Sequence, residues 1–345
     1  MERGSELAGS ADGAAGRLVA SPTELRNDRT LDIDAVPTLT LLERLNDEDA
    51  MVAAAVRRAL PDLALVVEAA DRALRAGGRV HYFGAGTSGR LAVLDAAELG
   101  PTFDLPAGVL VAHIAGGEPA LTQPVESAED DEASGARDAA QVTAADVVIG
   151  LSASGSAAYV AGALARARQA GAFTALFTAN PQAPLATVAD VVVCARTGPE
   201  AITGSTRLKA GTAEKMLLNS FSTALMVRDG RTYSNLMVRL IPVNAKLRAR
   251  QVRLLGQASG AADADCAAAL SAAEGDVQVA LVALLSGADS ATSRLALAKA
   301  DGMVRAAIDL AQDFSERDRR PPAGLPGGQP GRAARPQPDG EPEQA

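Results

Sequence analysis

The chain has 345 residues, which is enough for one large domain and a smaller one, or for two domains of ordinary size. Aromatic residues make up 3% of the sequence and tryptophan is absent, so the predicted core consists of alanine, valine, leucine and isoleucine. A formal net charge of −9, without a basic or aromatic-rich face, argues against nucleic acid as the main partner.

Few residues could bind a metal ion or form a disulfide. The cysteines are Cys194 and Cys266, and with His81 and His113 they match no metal-ligand spacing. We therefore expect no metal site and two reduced thiols, which are typical of a cytosolic protein. No signal peptide or membrane-spanning run is predicted either, so the sequence favours a cytoplasmic location.

Both ends of the chain have the composition of disordered segments. Residues 1–20 and 316–345 are rich in small, charged or proline residues without a helical period, and disorder is predicted for each. An irregular arm begins at residue 21 and is followed by a short helix and a long one. Asn46 and Asp47 are predicted to cap the long helix.

The pattern then changes to short, apolar, β-branched runs that alternate with segments of helical length. The predicted strands are residues 79–83, 109–114, 147–151, 172–177 and 191–194, and the predicted helices between them are 88–99, 118–139 and 156–170. Apolar strands that alternate with helices form parallel sheets through right-handed crossovers. Residues 21–255 are therefore predicted to form a doubly wound α/β domain, with a mostly parallel five-stranded sheet flanked by helices. Short helices over residues 256–315 predict a small helical domain.

Loops rich in glycine and hydroxyl groups follow three of the predicted strands, and each leads into a helix. They contain Gly86, Thr87, Ser88 and Gly89 after the first strand, Ser154, Gly155 and Ser156 after the third, and Ser205, Thr206 and Lys209 after the fifth. Loops at the carboxyl ends of parallel strands meet at one edge of the sheet, and helix N-termini bind anions. Serine and threonine before a helix usually only cap it, but three such loops in one chain favour a phosphate-binding site.

An acidic run supplies one group of candidate proton-transfer residues. Glu126, Glu129 and Asp130 have helical spacing, and like charges this close raise the pKa of one another. A carboxyl group with a raised pKa suits proton transfer near neutral pH. A solvated acidic helix face is the simpler interpretation of the run as a whole.

Glu98 differs because it stands alone in an apolar stretch just before Gly100 and Pro101. A helix stop is predicted there, together with partial burial of this acid. Glu98 lies ten residues after Ser88, or about 15 Å along a helix. Either the helix ends early or another subunit contributes to a shared site.

Several motifs resemble the N-acetylmuramic acid 6-phosphate etherase family. They are residues 84–91, 94–98, 114–118, 125–130 and 202–212, in this order within a likeness that spans residues 21–312. The resemblance implies a phosphosugar-binding sugar isomerase (SIS) domain, a homodimer and a small C-terminal helical domain. It also implies cleavage of the D-lactyl ether of N-acetylmuramic acid 6-phosphate to N-acetylglucosamine 6-phosphate and D-lactate, by elimination and then hydration, during cell-wall recycling. No metal or organic cofactor is implied.

The two functional glutamates of that family fall on Glu98 and Glu129. The resemblance implies that Glu98 donates a proton to the departing ether oxygen and that Glu129 exchanges the proton at C2, although the two roles could be reversed. Residues 154–158 depart from the family pattern, which has arginine, threonine and proline in this loop. This departure predicts a changed affinity or preference among phosphosugars.

Two other functions are compatible with the same loops. An aldose–ketose isomerase would use the phosphate-binding site and one carboxylate, and would not need a second acid. A non-catalytic phosphosugar sensor, similar to the glucokinase regulatory protein, would be free to lose either glutamate. The presence of both Glu98 and Glu129 favours the etherase.

Overall fold

The computed structural model describes residues 21–239 and 245–319. The predicted tail over 1–20 and most of the tail predicted over 316–345 lie outside these ranges. The prediction is wrong for residues 316–319, which continue the last helix. The described chain begins with a 3-10 turn at Pro22–Glu24, followed by helices α1 (Thr38–Asp49) and α2 (Val52–Arg75). The predicted cap at residues 46 and 47 is wrong, because both residues lie in the last turn of α1 and the two helices meet directly after it.

The predicted sheet is confirmed, with each strand boundary within one residue of its prediction. The strands are β1 (Val80–Gly84), β2 (Leu110–Ile114), β3 (Val147–Leu151), β4 (Phe173–Thr178) and β5 (Val191–Cys194). All pairings are parallel, in the spatial order β2-β1-β3-β4-β5. The three central strands are buried almost throughout, which explains why their sequences are apolar at successive positions.

Helices cover both faces of the sheet. They are α3 (Gly86–Phe103), α4 (Glu132–Asp138), α5 (Ala158–Gln169) and α6 (Lys209–Arg228). On one face, α2, α3 and α6 pack around side chains such as Tyr82 and Phe221. On the other face, α4 and α5 pack around Phe83 and Tyr159. Successive β1 residues thus supply the two cores, because neighbouring strand side chains point to opposite faces.

Two helix predictions are wrong at their boundaries. Residues 118–139 form a 3-10 turn at Glu118–Leu121, then a series of turns, and only then α4, which Asp131 caps by accepting from Ser134 N. The acidic run therefore lies in turns, where Ser127 adopts a φ of 59°. In contrast, α3 passes the predicted stop at Pro101 and ends at Phe103.

The C-terminus of α3 is held by a side chain from a later segment. The last carbonyl groups of a helix have no intrahelical donor and need other partners. The guanidinium of Arg231 donates to the carbonyl oxygens of Phe103, at 2.9 Å, and Asp104, at 2.6 Å. Asp104 then terminates the helix in the left-handed conformation, with a φ of 56°.

The C-terminal part is helical, as the sequence analysis predicted. A short hairpin, β6 (Thr232–Tyr233) and β7 (Leu236–Met237), precedes α7 (Ala245–Ser259), α8 (Asp263–Ala272), α9 (Val277–Ser286), α10 (Ser290–Lys299) and α11 (Val304–Arg319). Leu254 and Leu255 of α7 belong to the core of this helical cluster, so the boundary predicted at residue 255 falls within a helix.

A helix that crosses a bilayer needs about 20 predominantly apolar residues. No single helix in residues 21–239 and 245–319 is long and apolar enough, whereas α8 and α9 meet the criteria only as a pair bent by 120°.

Candidate active site

The strand order creates a topological switch point between β1 and β3. These strands are neighbours, and the last residue of β1, Gly84, pairs with the last residue of β3, Leu151. The helices that follow them, α3 and α5, pack on opposite faces of the sheet. In open parallel sheets, ligands bind in the crevice at the carboxyl ends of such strands. The first and second hydroxyl-rich loops begin side by side there.

The first loop presents the N-terminus of α3. The helix begins at Gly86 without a side-chain cap. Its first backbone hydrogen bond runs from Gly89 N to Ala85 O at 3.3 Å. The amides of Gly86, Thr87 and Ser88 precede that bond and so lack an intrahelical acceptor. Together with the helix dipole they can bind an anion.

Gly89 has a packing role in this structure. It was predicted to bind the phosphate, but its amide already donates within the helix and is not free to do so. A Cβ atom on Gly89 would lie 2.5 Å from Ile114 Cγ1 and 2.7 Å from Gly84 O. The absence of a side chain therefore lets α3 approach β1 and β2 closely.

The second loop holds two hydroxyl groups together. Ser154 Oγ and Ser156 Oγ are 2.8 Å apart, within hydrogen-bond distance. The backbone between them is fixed, since Asn180 Nδ2 donates to Ser154 O at 2.9 Å and Gly155 N donates to Ser152 O at 3.0 Å. Gly155 has a φ of 67°, a conformation that glycine adopts without strain. Both hydroxyls are half-buried, and one of them can donate to a ligand while the other donates to its neighbour. Both can donate to a ligand once the ligand replaces the bond between them.

The third loop differs from the prediction at Lys209. The Lys209 side chain is 1% exposed, and its Nζ donates to Glu48 Oε2 at 2.6 Å. The Glu200 carboxylate accepts from Lys209 N and Ala210 N, both at 2.9 Å, and so occupies the N-terminus of α6. Neither the ammonium group nor this helix N-terminus is available to a phosphate.

Ser205 and Thr206 of the third loop are half-buried near the first loop. A Cβ atom on Gly211 would lie 3.5 Å from Thr87 Cγ2 and 3.2 Å from Thr206 O. Thr87 of the first loop and Thr206 of the third loop therefore both lie close to Gly211. The N-terminal arm braces the third loop, because Gly204 N donates to Thr23 O at 3.0 Å. The structure thus brings residues of all three loops to one region.

Glu214 is a site residue that the sequence analysis missed. Ser88 Oγ donates to its Oε2 at 2.8 Å, and burial raises the pKa of this carboxyl to about 7. The signal was present, because Glu214 interrupts the apolar stripe of α6 that continues through Leu217, Leu218 and Phe221. An acid at such a position points to the protein interior.

The predicted burial of Glu98 is wrong, and its neighbour Asp95 is buried in its place. Glu98, predicted to be partly buried, is exposed near the end of α3 in the single chain. Asp95 is the buried acid and accepts from Tyr82 Oη at 3.0 Å and Ser222 Oγ at 2.9 Å. Burial raises the pKa of Asp95 to about 6. Because α3 is continuous, Glu98 lies about 15 Å along the helix from Ser88.

Glu129 lies beside the second loop. Its carbonyl oxygen accepts from Tyr159 N at 2.9 Å, at the start of α5. Glu129 is an exposed residue. Desolvation by the surrounding protein and, to a smaller extent, the nearby charge of Asp130 raise the pKa of its carboxyl. Arg90 of α3 donates to Leu121 O at 3.1 Å and so links the start of α3 to the 3-10 turn that precedes the acidic run.

The cysteines and histidines do not form a metal centre in the described part of the chain. Cys194 and Cys266 are free thiols, and among residues 21–239 and 245–319 no group of histidine, cysteine and acidic side chains could hold a metal ion. His81 Nδ1 and His113 Nε2 lie 3.2 Å apart with stacked rings.

Comparison with family profiles identifies sugar isomerase domains. Residues 62–168 match the glucokinase regulatory protein N-terminal SIS domain, and residues 120–224 match the SIS domain. Among solved structures, a phosphoheptose isomerase from Francisella tularensis is 16% identical with a TM-score of 0.44, over 54% of this chain and 98% of that one.

Curated relatives are similar over a longer part of the chain. An N-acetylmuramic acid 6-phosphate etherase from Thermobifida fusca (strain YX) is 56% identical over 263 residues, which cover 76% of this chain and 86% of the relative. A protein of the same name from Enterobacter sp. (strain 638) is 48% identical over 75% of this chain and 88% of its own length.

Proposed function

Because this chain belongs to the N-acetylmuramic acid 6-phosphate etherase family, we propose that it cleaves the D-lactyl ether of N-acetylmuramic acid 6-phosphate. The products are N-acetylglucosamine 6-phosphate and D-lactate, and the enzyme is a carbon–oxygen lyase of cell-wall amino-sugar recycling. The observation that carries the proposal is the hydrogen bond from Tyr159 N to Glu129 O. It holds Glu129 against the start of α5, the helix that directly follows the loop with Ser154 and Ser156.

The 6-phosphate would bind to the donors at the switch point. These are the amides of Gly86, Thr87 and Ser88 and the hydroxyl groups of Thr87, Ser88, Ser154, Ser156, Ser205 and Thr206. Backbone amides at a helix N-terminus and neutral hydroxyls bind a phosphate without a lysine or arginine. Lys209 is not part of this set, since its ammonium group pairs with Glu48.

Glu129 would act at C2 of the open-chain sugar. Its carboxylate removes the C2 proton, whose electrons form the C2–C3 double bond as the C3–O bond to lactate breaks. The raised pKa of Glu129 makes it a stronger base than an ordinary carboxylate. Glu98 would give its proton to the departing lactyl oxygen, because an alkoxide leaves poorly without one. Water then adds across the double bond, with its hydroxyl at C3 and a proton at C2.

We also propose that the site is shared by two subunits of a homodimer. Within one chain, Glu98 is about 15 Å along α3 from Ser88, a distance that one sugar ring does not bridge. A partner subunit that brings its own Glu98 to this site would remove the difficulty.

We propose a cytoplasmic location, because free thiols such as Cys194 and Cys266 persist in a reducing compartment.

Release of D-lactate tests the function directly. Purified protein incubated with N-acetylmuramic acid 6-phosphate should release D-lactate and N-acetylglucosamine 6-phosphate in equal amounts. Binding of the phosphosugar without lactate would instead favour a sensor. Interconversion of an aldose and a ketose phosphate would favour an isomerase.

Mixed variants test the shared site. Glu98→Gln and Glu129→Gln should each abolish turnover and leave phosphosugar binding largely intact. When the two inactive variants are mixed and allowed to exchange subunits, a shared site restores roughly a quarter of the wild-type activity, because half of the dimers carry one intact site. Mixtures that stay inactive despite demonstrated exchange would contradict a site built from two subunits.

A further inference from the structure

We propose that Glu214 is a positioning residue that must carry a proton before Ser88 can donate to the substrate phosphate, so that phosphosugar binding is coupled to proton uptake. This inference rests on the phosphate site proposed above, and it adds a residue to which no role has been assigned. Glu214 is 6% exposed, and its Oε2 accepts from Ser88 Oγ at 2.8 Å.

The environment of Glu214 offers little to a negative charge. Its Oε1 is buried and has no hydrogen-bond partner among residues 21–239 and 245–319. A cavity of about 10 Å³ adjoins the carboxyl group, and its other lining residues are neutral. They include Ala153 after β3, Phe177 and Thr178 of β4, Ala195 after β5 and Ala210 of α6. A carboxylate in such surroundings is costly, so the protonated form is favoured.

The nearby charged groups are engaged elsewhere. On α6, Lys209 pairs with Glu48 of α1, and the charge of Lys215 acts on Asp95 of α3. From α2, Leu63 and Val66 belong to the hydrophobic core shared with α6. Burial therefore dominates and raises the pKa of Glu214 to about 7, against a smaller opposing effect of the Ser88 hydrogen bond.

The hydrogen bond between Ser88 and Glu214 makes the protonation state important. A serine hydroxyl has one hydrogen, and an ionised carboxylate can only accept. While Glu214 is ionised, that hydrogen is held by Oε2, and the Ser88 oxygen presents lone pairs to an incoming phosphate. Once Glu214 is protonated, its own O–H donates to Ser88 Oγ, and the serine hydrogen can turn to the phosphate. Protonation also removes a negative charge beside the dianion.

The pH dependence follows from this coupling. If only the protonated form binds well, wild-type affinity for N-acetylglucosamine 6-phosphate should fall about tenfold per pH unit above pH 7. The second ionisation of a phosphate monoester, near pH 6, is almost complete by then and does not account for the loss. In Glu214→Gln, the amide donates to Ser88 at every pH, so the affinity should be nearly constant from pH 7 to pH 9.

Calorimetry measures the proton directly. Titration of the full chain with N-acetylglucosamine 6-phosphate at pH 8, in two phosphate-free buffers of different ionisation enthalpy, gives the number of protons taken up on binding. We expect close to one for the wild type and close to none for Glu214→Gln. Asp95→Asn is the matched control, because it removes another buried carboxyl with a raised pKa that does not touch the loops, and its proton uptake should equal that of the wild type.

The outcomes distinguish failure of the role of Glu214 from failure of the phosphate site. Wild-type binding without proton uptake, or equal uptake by Glu214→Gln, would overturn the role of Glu214 and leave the phosphate site intact. A wild type that binds no phosphosugar between pH 6 and pH 9 would refute the phosphate site, and with it this inference. If Glu214→Gln does not fold, the infrared carbonyl band of a protonated carboxyl in the wild type should increase on ligand binding at pH 8, and a constant band would refute the coupling.

Discussion

Removing the buried ion pair between Lys209 and Glu48 tests whether Lys209 has a structural role. The side chains are 1% and 3% exposed, and Arg29 and Asn27 also donate to the Glu48 carboxylate. Glu48→Gln leaves the buried Lys209 ammonium without its carboxylate and should therefore lower the free energy of unfolding by about 3–5 kcal/mol. Lys209→Met should cost less, because Arg29 and Asn27 still donate to the Glu48 carboxylate.

The pH dependence of this pair has a defined sign. Burial alone would raise the pKa of Glu48, but hydrogen bonds from Arg29, Lys209 and Asn27 outweigh it and lower the pKa from 4.5 to about 2. A lowered pKa means that the stabilisation is complete above pH 4.5 and is lost as the pH falls towards 2. The shift corresponds to about 3 kcal/mol. The difference between wild type and Glu48→Gln should therefore shrink as the pH falls from 5 to 3.

Urea unfolding followed by circular dichroism at pH 7, 5 and 3 measures both effects. Asp32→Asn is the matched control, because Asp32 pairs with Arg44 at the surface and exposed ion pairs contribute little to stability. If Glu48→Gln lowers the free energy of unfolding no more than Asp32→Asn does, the structural role of the buried ion pair is refuted.

The double variant Glu48→Gln with Lys209→Met connects stability to function. It removes both charges together, so much of the lost stability should return. We expect it to bind N-acetylglucosamine 6-phosphate almost as tightly as the wild type. A direct ammonium–phosphate contact contributes about 1.5–3 kcal/mol, so a loss of affinity of at least about tenfold in a stably folded double variant would show that Lys209 binds the phosphate after all.

Two further predictions concern packing and buried charge. A Cβ atom on Gly162 would lie 1.9 Å from Glu132 O, so Gly162→Ala should force α4 and α5 apart, lower the free energy of unfolding by about 1–3 kcal/mol and reduce lactate release. Gly100→Ala, in an open helical position, should be neutral or stabilising in the same urea assay, and equal losses would refute the packing argument. Asp95→Asn should be more stable than the wild type by up to about 3 kcal/mol at pH 7.5, because a raised pKa makes the buried acid destabilising as the pH rises from 3.8 through about 6. An advantage that does not shrink between pH 7.5 and pH 4 would contradict this explanation.

The parallel sheet was predictable because its signal is local. Runs such as residues 147–151 and 191–194 are short, apolar and β-branched, and the alternation with helical segments leaves few other topologies. The location of the first two loops followed from the sheet, since the carboxyl ends of parallel strands share one edge. The predicted spacing of about 15 Å between Ser88 and Glu98 also holds, because both residues lie on one continuous helix and the spacing depends only on the helical rise.

Environments of ionisable side chains were less predictable, because they depend on segments far apart in the chain. Glu98 and Asp95 are one turn apart on α3, and burial falls on Asp95 because Tyr82 of β1 and Ser222 of α6 meet there. Lys209 follows a loop that resembles a phosphate site, yet its partner, Glu48, precedes it by 161 residues. No pattern in the neighbouring sequence shows which of Asp95 and Glu98 is buried, or whether Lys209 pairs with a phosphate or with a carboxylate.

Helices α3 and α6 show why a helix N-terminus alone does not define an anion site. At α6, Glu200 accepts from the first amides, so the position is already occupied by a carboxylate of the same chain. At α3, the acid that comes closest is Glu214, and it contacts the Ser88 hydroxyl and leaves the amides free. An intramolecular carboxylate thus closes one helix N-terminus to phosphate. At the other, a carboxyl group that titrates near neutral pH lies behind the donors, where gain of a proton favours binding of the anion.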